Sequence, residues 1–183
     1  MQKNSRRFSL RDRTSEAHEA LDALVGEFDS DASYQRYLSG TAAFRLAVEP
    51  ALTRMTLPEN SGYHPSLLSP EIHADLADLG LTVPSPVDFR HGDFSTDAAL
   101  GALYVLEGSA LGAQLLVKRA AALGYDASHG ARHLARQTQS LDAWRGFLQV
   151  LDEAEPFDLD ACTSAACATF DAARAAFGEK AYA

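Results

Sequence analysis

The chain has 183 residues, 46% of them hydrophobic, enough for one substantial core and too few for two ordinary domains. Its 25 acidic residues outweigh 16 basic ones for a formal net charge of -9, which argues against the basic footprint of a nucleic-acid-binding surface. The opening residues carry charge with no apolar core behind them, and no later stretch approaches the roughly 20 uninterrupted apolar residues of a membrane span. A cytoplasmic protein with neither a nucleic-acid nor a membrane partner is expected.

Apolar residues recur with helical period almost everywhere and nowhere alternate as in a strand, so the expectation is an all-α single domain over 1–183. Leu10, Thr14, Ala17, Leu21 and Val25 form the stripe of a first amphipathic helix. A second begins after Asp31 or Ser33, carries Tyr34, Tyr37, Leu38, Thr41, Phe44 and Val48 on one stripe, and meets Pro50, which should kink or divide it. Pro58, Gly62, Pro65 and Pro70 mark a loop, and a short helix from Glu71 should end at Gly80. After a second loop with Pro84 and Pro86, the longest helix runs from about Asp97, behind a Ser95/Thr96 cap, to Leu123 and Gly124. Two more helices fit Ala131 to Asp152, with an interruption near Gln139, and Asp160 to Phe177. Cys162 and Cys167 sit five apart on the last helix, point in different directions and should be free thiols.

Gly101, Gly108 and Gly112 lie inside the helical segment GALYVLEGSALGAQLL, Gly101 to Leu116. Each costs about 0.5–1 kcal/mol relative to alanine, so bare backbone must bring a gain there, through close helix packing or close approach of a ligand. Gly108 and Gly112 share a face, and Ser109 and Ala113 extend it into a smooth small-residue surface that a flat ligand could lie against. Spacing leaves a plain small-xxx-small helix contact equally open. His18, between Glu16 and Glu19, falls on the edge of the first apolar stripe. It suits a half-buried metal ligand or an ordinary hydrogen-bonded histidine, and a heme iron needs only one such ligand.

Taken together, the LRDRTSEAHEALD segment (Leu10 to Asp22) and the glycine-bearing segment resemble the bacterial heme oxygenase family, particularly its phytochrome-associated members. The resemblance covers most of the chain and includes YQRYL (Tyr34 to Leu38), VEPAL (Val48 to Leu52) and WRGFLQVLD (Trp144 to Asp152). It implies a helical bundle with heme between a proximal helix and a kinked distal helix, and His18 as the axial iron ligand. Gly108 and Gly112 become the distal glycines that admit the heme face and leave room for oxygen. Arg11 and Arg145 stand where the family places cations for the propionates, Arg145 being the stronger candidate, while Gln149 occupies a position that can be basic. Ser109 stands where many members have an aspartate that organises water, and Ala113 replaces a glycine near the heme.

The implied reaction is oxidative cleavage of heme, both cofactor and substrate, to biliverdin, CO and Fe2+. It uses O2 and electrons from an external donor, a ferredoxin or reductase, since the chain has no nucleotide-binding glycine loop; a bacteriophytochrome is a further candidate partner. The alternative on the same fold is a heme or biliverdin carrier without turnover. A diiron-type enzyme would need Glu-x-x-His repeats, which are absent. Glu107 is expected to form a salt bridge or cap beside the distal glycine. His129 and His133 should form a solvated face, and His64, His73 and His91 read as surface residues.

Overall fold

The computed structural model describes residues 5–58, 62–89, 95–139 and 141–178, without the Leu141 side chain; His91 lies outside this set. Among the described residues seven helices follow one another: α1 (Arg6–Val25), α2 (Asp31–Leu52), α3 (Ser69–Asp78), α4 (Thr96–Ala122), α5 (Arg132–Thr138), α6 (Leu141–Glu153) and α7 (Leu159–Phe177). No strand occurs among the described residues.

Local chemistry explains most of the boundaries. Ser30 and Ser33 cap α2 reciprocally, each side chain accepting from the other's backbone N–H. Pro50 lies inside the last turn of α2, which ends at Leu52. Lacking an N–H and crowding the turn before it, the proline falls where little helix remains to lose. Ser95 accepts from the Ala98 N–H to start α4, and Asp158 accepts from Asp160 and Ala161 to start α7. Gly80 (φ 65°) and Gly124 (φ 90°) turn the chain after α3 and α4 in the left-handed region.

α4 is the central helix, packed on α7, α5, α6 and α2. It is also the one described helix long and apolar enough to cross a membrane, but half of its most apolar window is buried inside the bundle. The main core joins Leu10, Val48, Leu52, Leu100, Leu103, Leu106, Phe147 and Leu151. A second cluster gathers Phe28, Tyr34, Tyr37, Ala113, Ala120 and Leu134. Where α4 crosses α7, a Cβ on Gly101 would stand 2.1 Å from the Cys162 carbonyl oxygen and 2.8 Å from the Ala165 Cβ. Gly101 is therefore fixed by helix packing. Both cysteines are free, and burial pushes the Cys162 thiol up to about 12.

His129, His64 and His73 are exposed as expected, but His133 is fully buried. Its Nδ1 lies 2.7 Å from Oδ2 of Asp75, also fully buried, which accepts the backbone N–H groups of Arg132 and His133 at 2.9 Å. The charged neighbours that suggested a solvated face instead bring α5 down onto α3: Arg132 pairs with Asp75 and Asp78, and Arg136 with Glu71.

Candidate functional site

α1 and α4 both pack on α7. They converge where Ala17 and Leu21 join Val105, Ala166 and Phe170 in a small apolar cluster beside Tyr104. One turn beyond Thr14 on α1 is His18; one and two turns beyond Tyr104 on α4 are Gly108 and Gly112. Side chains one turn apart on a helix share a face, so α1, α4 and the floor of Val105 and Phe170 form a groove flanked by these three residues.

His18 is 61% exposed along its side chain, with its ring edge on Phe170, 5.9 Å between centroids. Its Nδ1 lies 3.1 Å from the Asp22 carboxylate one turn on. That pairing favours the tautomer protonated at Nδ1 and leaves Nε2 as the lone-pair donor, the arrangement metal-binding histidines use.

Across the groove, a Cβ on Gly112 would meet nothing within 4 Å, and one on Gly108 would make only an ordinary 3.7 Å contact with the Trp144 ring. Among the described residues nothing in the packing requires either glycine. Leu111 and Leu115 beside them are 47% and 53% exposed, and Phe8 on α1 is exposed as well. Leu111 and Leu115, four apart on one face of α4, leave adjacent apolar surface exposed, which marks a binding surface.

The cations expected at the groove are placed unequally. Burial pushes the Tyr104 phenol up, opposed by the neighbouring Thr14 hydroxyl and by the nearby Arg7 and Arg11 guanidiniums. Arg7 also lies over the Trp144 ring and Arg11 over Phe8. Arg145 is exposed and pairs with Asp142 one turn earlier on α6. Arg7 and Arg11 thus stand at the Tyr104 end, and Arg7 was not singled out by the sequence motifs.

Ala113 corrects an expectation. It is 1% exposed, packed among Phe28, Tyr34 and Tyr37, because one residue past Gly112 the helix has turned about 100° and its methyl faces the core. Ser109 lies between the two directions. Its hydroxyl donates to the Leu106 carbonyl (2.6 Å) and accepts from Arg45 (3.0 Å) and Gln137 (2.7 Å). Glu107 is buried and, among the described residues, has no cation partner; its Oε1 accepts the Tyr63 hydroxyl at 2.6 Å and the Ser66 N–H at 2.8 Å, tying the loop before α3 to α4.

An exposed imidazole across from a bare, apolar-flanked helix face suits a flat ligand that carries a metal. Comparison with known proteins agrees. No family model matches the chain, but it is 38% identical over 151 residues to heme oxygenase PigA of Pseudomonas aeruginosa, covering 78% of this chain and 75% of that one. Its fold matches the crystal structure of the NO- and CO-bound heme oxygenase from Neisseria meningitidis with a TM-score of 0.70 and 28% identity, over 98% and 96% of the two chains. The chain belongs to the heme oxygenase family.

Proposed function

We propose that the groove between α1 and α4 binds heme as substrate and that the chain cleaves it to biliverdin, CO and Fe2+. One observation carries the reading: of three glycines inside α4, Gly101 has a packing reason and Gly108 and Gly112 have none among the described residues. Two unforced helix-interior glycines cost roughly 1–2 kcal/mol together. A flat ligand on the exposed side of α4 accounts for both.

In this reading His18 ligates the iron through Nε2 while Asp22 accepts from Nδ1 and holds the ring plane. Gly108 and Gly112 let the α4 backbone approach the ligand, and Leu111, Leu115 and Phe8 cover apolar macrocycle and exclude water. Arg7 and Arg11 offer planar donors suited to the propionate carboxylates, Arg11 on leaving Asp12 as Arg145 would on leaving Asp142. Bound heme supplies the redox iron at which O2 is activated, with electrons from an external ferredoxin or reductase. Cytoplasmic location and a place among the phytochrome-associated members, delivering biliverdin to a bacteriophytochrome, complete the proposal.

The test compares hemin titrations of the wild type, His18→Ala and Asp22→Asn. The wild type should give a histidine-ligated Soret spectrum that His18→Ala loses, and ascorbate with O2 should convert it to a biliverdin spectrum. An unchanged spectrum in His18→Ala overturns the ligand, and stable heme under turnover conditions turns the reading to a carrier.

A further inference from the structure

Beneath the Gly108–Gly112 segment lies a buried polar network that the groove's walls do not explain. Arg45 of α2 is only 3% exposed. Its Nη2 donates to the Leu106 carbonyl at 3.2 Å and to Ser109 Oγ at 3.0 Å, and its Nη1 faces Glu49 Oε1 at 3.4 Å. Glu49, also 3% exposed, is itself fixed by the N–H groups of Leu68 and Ser69 at 2.9 and 3.0 Å and by the Ser69 hydroxyl. A buried guanidinium costs several kcal/mol in lost hydration unless it is paired and hydrogen-bonded, so its place under the distal segment calls for a reason.

Ser109 supplies one. A hydroxyl has one hydrogen and two lone pairs, and here the hydrogen goes to Leu106 while Arg45 and Gln137 take the lone pairs. Ser109 therefore has no uncommitted proton to offer toward the groove, and its orientation is set by Arg45 and Gln137. The Leu106 carbonyl in turn receives two side-chain donors, the kind of competition that bends a helix. Among the described residues Glu49 is the carboxylate paired with Arg45, while Glu107, buried on α4, accepts from Tyr63 and Ser66. Arg45 itself touches Ser109 and the Leu106 carbonyl while Glu49 pairs with its other guanidinium nitrogen, so the pair turns its positive end to the distal segment, a dipole felt over several ångströms in a low-dielectric interior.

We propose that Arg45 is a positioning residue for heme cleavage. Acting through Ser109 and the Leu106 carbonyl, it fixes the α4 backbone at Gly108–Gly112 and imposes a positive field on the space above that segment. The proposal rests on the heme-binding reading, and its test separates the two.

The ferrous CO complex of the heme-loaded protein is the probe, because a positive field at bound CO lowers the C–O stretching frequency. Wild type, Arg45→Met, Ser109→Ala and the double variant are compared by infrared spectroscopy, together with heme affinity and ascorbate-supported turnover. Arg45→Met should move the stretch to higher wavenumber and lower kcat at least about tenfold with heme affinity retained. The double variant should shift no further than the larger single one. Arg45→Gln, which keeps a donor and drops the charge, should show the same upward shift and carries the test if the methionine variant does not fold. An unshifted stretch in a folded, heme-loaded Arg45 variant, or additive effects with Ser109→Ala, overturns the proposal. Failure of the wild type to bind heme overturns the underlying reading instead.

Discussion

At the scale of single residues, the glycines of α4 separate stability from function. Gly101→Ala drives a methyl into the Cys162 carbonyl, and overpacking of this kind costs about 1–3 kcal/mol or more. Gly112→Ala meets open space and Gly108→Ala an ordinary contact with Trp144, so each should stabilise the heme-free chain by roughly 0.5–1 kcal/mol through helix propensity. Thermal unfolding without heme should show Tm falling for Gly101→Ala and rising by about 1–4 °C for the other two, while those same two lose heme affinity or turnover. A fall in Tm for Gly112→Ala would mean that the bare backbone there serves the fold after all. The sequence had left helix packing and ligand approach equally open for these glycines, and only the position of α7 divides them.

At the scale of elements, helices whose ends are written locally were legible: the Ser95 cap, the turns at Gly80 and Gly124, and the break between α5 and α6, whereas the start of α2 was placed one to three residues past its Ser30 cap. Polar groups that join elements were not. His133 finds Asp75 across 58 residues and Ser109 finds Arg45 across 64, and no local pattern announces such partners. Arg6 is another case: it donates to the Leu151 and Ala154 carbonyls at 2.8 and 2.6 Å, tying the start of α1 to the end of α6. The α3–α5 junction has a pH signature. Burial pushes the Asp75 carboxyl up, but the His133 side chain and the backbone N–H groups of His133 and Arg132 hold it below the ordinary 3.8. A carboxylate with a depressed folded pKa stabilises the fold above its unfolded value and loses that contribution as pH falls through the folded one. Asp75→Asn should thus cost about 3 kcal/mol near neutrality. The Tm gap to wild type should narrow below about pH 4; a gap independent of pH would assign the loss to packing alone.

At the scale of the molecule, the two walls of the groove are unequally held. α4 is gripped by helices on several sides, whereas α1 leans on α7 and, through Arg6 and Leu10, on the α6 side of the bundle. A ligand that joins His18 to the face of Gly108 and Gly112 therefore ties the more loosely attached wall to the best-anchored helix. Local opening follows the weakest attachments first, so heme should slow amide exchange mainly in α1 and along 104–115 of α4, and leave α3 and α5 little changed. At heme about 100-fold above its dissociation constant, binding adds about 2.7 kcal/mol, or roughly 5–11 °C in Tm for a chain of this length. His18→Ala should lose most of both effects, since the link from iron to α1 is gone. Protection spread evenly over all seven helices would indicate instead that heme acts on global unfolding and that α1 is no looser than its neighbours.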